Sequence, residues 1–139
     1  MKIDRLDHLV LTVRDVEATC AWYARVLGMQ PVTFGAGRRA LAFGRQKLNL
    51  HQAGHEFEPK AACPTPGAAD LCFISADPLE AVLAHLAREG VPVEAGPVVR
   101  TGATGAITSI YVRDPDGNLI EIATYNTASE AARDANAIQ

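Results

Sequence analysis

Hydrophobic and polar positions follow the same order of patterns in two successive segments of the chain. The first segment opens with the β-branched, apolar run RLDHLVLTV (residues 5–13), which predicts a strand. Residues 14–29 change to helical spacing and predict a helix, with Asp15 as its N-cap and Gly28 at its end. Three short β-prone runs follow, so this segment is predicted to be βαβββ, with the last strands at 31–34, 40–43 and 47–52.

The second segment repeats this order after a stretch rich in proline and glycine. DLCFIS (70–75) predicts a strand, and residues 76–90 predict a helix capped by Asp77 and ended by Gly90. Three further strands are predicted at 92–99, 106–112 and 118–125, with a DPDGN turn before the last. We therefore predict an α+β fold in one domain, with modules at about 4–53 and 69–125, a linker at 54–68 and a tail at 126–139.

Composition narrows the class of protein. A chain of 139 residues, 48% hydrophobic and 21% charged, is typical of a packed globular domain. The net charge is −3 and the 13 lysines and arginines are scattered, so nucleic-acid binding is not expected. No apolar run approaches the roughly 20 residues that span a bilayer. The three cysteines form no CxxC pair and no signal peptide precedes them, so we expect a cytoplasmic protein.

Polar side chains interrupt the apolar strands at four places, which are His8, His51, Asp70 and Glu121. When the two segments are laid on each other, His8 falls opposite Asp70, and His51 opposite Glu121. An unpaired polar group in such a strand would cost several kcal/mol, so something should compensate these four. Imidazole and carboxylate groups suit Zn²⁺, Fe²⁺, Mn²⁺ or Ni²⁺, and the pattern therefore predicts one divalent metal ion.

Structural explanations also exist for these residues. A lone strand histidine is usually structural, and Asp70, beside the proline-rich linker, can cap a turn. Glu121 lies between Ile120 and Ile122, where a solvated surface carboxylate is harder to explain. The run HEFE at 55–58 is not the HExxH metalloprotease motif, so we interpret it as a solvated loop.

Four strings carry a resemblance to a known family: RLDHLVLTV, KLNLH, PTPGAADLC and RTGATGAITSIYVRDPDGNLIE. In this order and spacing they resemble the vicinal oxygen chelate superfamily, which includes glyoxalase I, fosfomycin- and bleomycin-resistance proteins and extradiol dioxygenases. The resemblance covers roughly residues 4–125 and is nearest to glyoxalase domain-containing and bacterial virulence-type proteins. It implies sheets that form a cup with helices outside, and metal ligands at His8, His51, Asp70 and Glu121. Many members carry histidine where Asp70 stands, so Asp70 is either a ligand or a group that orients His8.

The function that the resemblance implies is a metal-dependent lyase or isomerase acting on a small molecule with two adjacent oxygens. Glu121, or a metal-bound water, is expected to move the proton, so Glu121 is the candidate catalytic residue. The candidate substrate contacts are Arg100, Thr12 and Cys72. An extradiol-type dioxygenase and a non-catalytic binding or resistance protein stay as alternatives. A homodimer is expected, because open sheets leave edges that related folds cover by pairing.

Overall fold

The computed structural model describes residues 1–137, and in them the chain folds into two units, each built on a four-stranded mixed sheet. Unit one comprises residues 1–69 together with 114–118, and unit two comprises residues 70–113 and the chain from Leu119 onward. Each unit contains a strand, a helix and three more strands in sequence order, which confirms the predicted α+β fold of two βαβββ modules.

Unit one begins with a strand and a helix whose ends match the sequence signals. Its elements are β1 (His8–Val13), α1 (Val16–Leu27), β2 (Gln30–Phe34), β3 (Arg38–Phe43) and β4 (Gln46–Gln52), with strand order β1-β4-β3-β2. The Asp15 carboxylate accepts a hydrogen bond from the Ala18 amide at 2.9 Å, so it caps α1 as predicted. Gly28 ends the helix in the left-handed region at φ 66°.

Helix α1 packs on one face of this sheet and does not cover the other. The buried residues of the packed face are Cys20, Tyr23 and Val26 on the helix and Leu11, Val13, Leu41, Leu48 and Leu50 on the strands. Because side chains alternate along a strand, the opposite face of β1 and β4 carries His8, Val10, Thr12, Lys47, Asn49 and His51. The sheet of unit one therefore has one apolar face, packed against α1, and one face that is rich in polar groups.

Unit two has the same topology. Its elements are β5 (Asp70–Ile74), α2 (Leu79–Arg88), β6 (Ala95–Thr101), β7 (Ala106–Arg113) and β8 (Leu119–Tyr125), with strand order β5-β8-β7-β6. In both units the first strand pairs in parallel with the last, and the remaining pairs are antiparallel. Alternation on β8 puts Ile120 and Ile122 on one face and Glu121 on the other.

A third helix, α3 (Ala128–Ala137), follows unit two's last strand. Thr127 and Glu130 form a reciprocal capping pair at its start, because each side chain accepts a hydrogen bond from the other's amide. The last two residues of the predicted tail lie outside the described residues. Within residues 1–137, no helix has both the length and the apolar character to cross a membrane.

Helix α2 begins differently from the prediction. Pro78 occupies the N-cap position, and no side chain caps the helix. The Asp77 amide instead donates a hydrogen bond to the Ser75 hydroxyl oxygen at 3.0 Å. The prediction that Asp77 caps α2 was wrong. The Asp77 amide is bound by Ser75, and because Pro78 has no N–H, the start of the helix has one fewer amide that needs an acceptor.

The two aspartates make a matched test of helix capping. Asp15→Ala should lower the free energy of unfolding by about 1 kcal/mol, since it removes the acceptor for the Ala18 amide. Asp77→Ala should change it by less than about 0.5 kcal/mol, as expected for an exposed side chain outside a cap. Urea denaturation of both variants measures the difference, and equal losses would contradict the assignment.

The DPDGN turn is held by a buried network around Asp114, which is 5% exposed. One carboxylate oxygen accepts from the amides of Asp116 and Asn118, each at 2.9 Å. The other accepts from the Tyr23 hydroxyl and the Asn118 side-chain amide, each at 2.7 Å. Burial, and then the charge of Asp114, raises the pKa of Tyr23, so its phenol stays a donor. The turn therefore forms as predicted and belongs to unit one through Tyr23.

Candidate functional site

The sheet register shows where each predicted ligand lies within its own unit. In unit one, His8 pairs with Lys47, and His51 pairs with Thr12. The two histidines are thus four positions apart along the sheet, about 13 Å. In unit two, Asp70 pairs with Leu119, and Glu121 pairs with Cys72, so the two carboxylates are two positions apart, about 7 Å. The spacing differs between the units.

This difference corrects the overlay of the two segments. His8 and Asp70 each open the first strand, and the helices begin at comparable distances after them, at Val16 and Leu79. In that alignment the residue that matches Glu121 is Asn49, which lies two positions before His51. Sequence reasoning missed Asn49, although the strings KLNL and LIEI place it there when they are aligned without a gap.

Asn49 is a buried residue with one side-chain atom that lacks a partner within residues 1–137. Its side chain is 5% exposed, on the face of the sheet that carries His8. Its Oδ1 atom is buried and has no hydrogen-bond partner among the described residues. An unsatisfied buried acceptor costs about 1–3 kcal/mol, so an occupant that binds this oxygen would recover free energy.

His8 is oriented as metal-binding histidines usually are. Its Nδ1 lies 2.8 Å from the Asp7 carboxylate, and its side chain is 43% exposed. This hydrogen bond to His8 lowers the pKa of Asp7. With the proton on Nδ1, the Nε2 lone pair is free, which is the arrangement in which a carboxylate fixes the ring and the other nitrogen binds a metal.

His51 has a different environment. It is 3% exposed, its Nε2 lies 3.4 Å from a guanidinium nitrogen of Arg38, and its ring packs edge-on against Phe57 at 5.6 Å. Arg38 in turn stacks on the rings of Phe34 and Phe57. Burial, and then the Arg38 charge, lowers the pKa of His51, so the ring is held neutral. A fixed cation beside Nε2 disfavours a metal ion at that nitrogen.

Glu121 lies on the face of unit two that also carries Asp70 and Cys72. The Ser109 hydroxyl donates to its Oε2 at 2.5 Å. Burial, and then the charge of Glu121, raises the pKa of Cys72 to about 11, so Cys72 is a neutral thiol rather than a nucleophile. Asp70 is exposed at the start of β5, and its side chain forms no ion pair or hydrogen bond with another described residue. The two carboxylates are therefore available to bind a ligand.

A cavity of about 380 Å³ opens beside Glu121 within unit two. Its wall brings three predicted residues together, Arg100, Cys72 and Glu121, and adds apolar side chains from Ile74, Ile107 and Tyr125. This volume is in the range of small-molecule pockets. Thr12, the other predicted substrate contact, lies in unit one beside His51 in the register and is half-buried.

No group of three or more histidine, cysteine, aspartate or glutamate side chains that could hold a metal ion forms within residues 1–137. Each unit instead carries two oxygen or nitrogen donors at matching positions. We call His8 and Asn49 the first half-site, and Asp70 and Glu121 the second half-site. Their donor types fit a divalent first-row cation, whereas the surroundings of His51 do not.

Comparisons with known proteins identify two similar chains. The chain is 59% identical to virulence protein STM3117 of Salmonella typhimurium over 125 residues, 90% of this chain and 87% of that one. It is 55% identical to glyoxalase domain-containing protein RDO1 of Mycosarcoma maydis over 128 residues, 92% of this chain and 72% of that one.

Solved structures share the fold of this chain. The crystal structure of STM3117 matches with a TM-score of 0.89 over 91% of this chain and 100% of that one. A lactoylglutathione lyase from Agrobacterium tumefaciens shares the fold, with a TM-score of 0.68 at 24% identity over 88% of this chain and 95% of that one. Residues 5–122 match the profile of the glyoxalase/bleomycin resistance protein/dioxygenase superfamily, so the chain belongs to that superfamily, as its motifs predicted.

Proposed function

We propose that the protein is a metal-dependent lyase or isomerase for a small molecule that carries two adjacent oxygen atoms. One observation carries the proposal: the first and last strands of both units present metal-type donors at the same register positions. These are the two half-sites defined above. A purely structural role would not require matching donors in both units.

The donors of each half-site are proposed as metal ligands, because their atom types suit a divalent first-row cation. His8 would bind through Nε2, Asn49 through its unpaired Oδ1, and Glu121 through its carboxylate, with Asp70 as a further ligand. When bound, the metal would act as a Lewis acid on the substrate oxygens and stabilise their developing negative charge.

The chain's own residues would position the substrate and move the proton. Ser109 donates to Oε2 of Glu121, which orients the carboxylate that would accept a proton from a substrate carbon. The protonated thiol of Cys72 lies across from Glu121 in the sheet register and keeps a second anion away from it. Arg100 and Thr12 are the proposed substrate contacts.

Proton exchange tests this reaction class without knowledge of the natural substrate. Protein loaded with Mn²⁺, Ni²⁺, Zn²⁺ or Fe²⁺ is incubated in D₂O with a panel of α-hydroxycarbonyl compounds, and deuterium uptake at the α-carbon is followed by NMR. We expect metal-dependent uptake for at least one compound, and none with Glu121→Gln. Oxygen consumption with catechols and Fe²⁺ would instead identify a dioxygenase. Ligand binding without either reaction would identify a binding protein.

A homodimer is proposed on the basis of exposed apolar side chains. Ile3 is 76% exposed and Leu6 57% exposed ahead of β1, and Val99 is 40% exposed on β6, an edge strand of its sheet. A second copy that covered them would remove this apolar surface from water. Light scattering should give about twice the chain mass of 14.8 kDa. A monomer that persists as the protein concentration rises would refute this.

A further inference from the structure

Among the described residues, Arg100 is the one cation in the wall of the cavity of unit two. Arg100 donates through Nε to the Tyr111 hydroxyl at 3.0 Å, and its guanidinium lies 5.7 Å from the Tyr111 ring. No carboxylate forms an ion pair with it among the described residues. Arg113, one strand away, is paired with Glu94 at 3.0 Å. Arg113 therefore has a carboxylate partner, whereas Arg100 has none among the described residues and lines the cavity.

The hydrogen bond to Tyr111 fixes how Arg100 can meet a ligand. Because Nε is already used, the two terminal nitrogens present a planar fork. Such a fork matches the two oxygens of a carboxylate in a bidentate pair. Arg100 pairs with Ile107 in the register and reaches along the sheet to Tyr111, which pairs with Glu121. The guanidinium thus lies near the row of the sheet that carries the proposed metal ligand.

The loop between β6 and β7 closes the other end of the cavity. The Gly102 amide donates to the Gly105 carbonyl at 2.8 Å, and the Thr104 amide donates to the Tyr125 hydroxyl at 3.3 Å. A Cβ atom at Gly102 would lie 2.9 Å from the Ile107 side chain and 3.1 Å from the Tyr125 ring. The loop is therefore packed closely on the apolar wall, and the cavity has room only for a small ligand.

We infer that this cavity selects substrates that carry a carboxylate, bound by Arg100, with an apolar portion against Ile107 and Tyr125. This inference rests on the proposed function, since it places the reacting oxygens of the same molecule toward Glu121. It adds the charge and the approximate size of the substrate, which the metal chemistry alone does not determine. Small carboxylic acids that carry two adjacent oxygens are the predicted class.

The test uses metal-free protein, so its outcome is independent of metal binding. Benzoate and benzamide have nearly the same shape and differ in charge, and NMR titration of the ¹⁵N-labelled protein reports binding of each. We expect benzoate to shift the Arg100 side-chain Nε–H and the amides of Gly102 and Thr104, with a dissociation constant about tenfold lower than that of benzamide. Phenylphosphonate should bind no more tightly than benzoate.

Two arginine variants provide the matched comparison. Arg100→Gln should remove the preference for benzoate, whereas Arg113→Gln, in the same sheet but outside the cavity, should keep it. Equal binding of benzoate and benzamide to the wild type, equal benzoate binding by Arg100→Gln, or no saturable binding would each overturn the inference. Tighter binding of phenylphosphonate would overturn the carboxylate assignment. If benzoate binding fails but metal-dependent proton exchange is observed, the carboxylate inference is wrong and the proposed reaction stands. If benzoate binds as expected but no proton exchange is observed, the proposed reaction is wrong and the carboxylate site stands.

Discussion

Replacing Glu121 with glutamine is expected to abolish metal-dependent activity and lower metal affinity at least about 100-fold, while the metal-free fold stays intact. Glutamine keeps the size of the side chain and one oxygen that can accept from Ser109. It loses the negative charge that a divalent cation needs in the second half-site. The effect should therefore fall on metal binding far more than on packing.

Thermal unfolding with and without metal measures this. Metal-free wild type and Glu121→Gln should melt within a few degrees of each other, because 1 kcal/mol shifts a domain of this size by roughly 2–6 °C. Added Mn²⁺ or Zn²⁺ should raise the melting temperature of the wild type only. Ser109→Ala, which keeps the charge and loses one hydrogen bond, should show a smaller loss of affinity, about tenfold. Equal stabilisation of wild type and Glu121→Gln by metal would show that Glu121 is not a ligand.

Replacing Asp114 with alanine is expected to lower the free energy of unfolding by about 3–5 kcal/mol, the largest loss from any single change considered for this fold. The substitution leaves four buried donors without their acceptor, which are the Tyr23 hydroxyl, the amides of Asp116 and Asn118 and the Asn118 side chain. A buried donor without a partner costs more than the hydrogen bond contributed.

Tyr23→Phe is the graded control for this network. It removes one donor and keeps the carboxylate with its other three, so a loss of about 1–2 kcal/mol is expected. Chemical denaturation of both variants gives the comparison. If Asp114→Ala lowers the free energy of unfolding no more than Tyr23→Phe does, the DPDGN turn does not depend on the Asp114 carboxylate, which would contradict the network.

The secondary structure and the fold were largely predictable, because they depend on local signals. Periodicity located the strands and the two helices of the modules, and Asp15 and Gly28 are recognised from their sequence positions. Asp77 looked equally suitable as a cap. Ser75 holds its amide in the structure, and that competition between neighbouring side chains does not show in a capping pattern.

The candidate site was predictable in its residue types and only partly in its arrangement. The overlay of the two segments matched Glu121 with His51, whereas the strand register matches it with Asn49, two residues earlier. A shift of two residues keeps a side chain on the same face of the sheet, so the pattern of polar and apolar positions could not reveal it. The Arg38 guanidinium beside His51 comes from the neighbouring strand β3, so no local pattern indicates it. Asp114 likewise meets Tyr23 across 91 positions of the sequence.

Metal titration of the two histidine variants tests the central claim most directly, which is that His8, and not His51, is a metal ligand. Isothermal titration with Mn²⁺ or Zn²⁺ should give one equivalent per chain for the wild type. His8→Ala should bind at least about 100-fold more weakly, since a free imidazole ligand is lost. His51→Ala should keep affinity within about tenfold, because its ring is occupied by Arg38 and Phe57. Unchanged binding by His8→Ala, or loss of binding only in His51→Ala, would contradict the account.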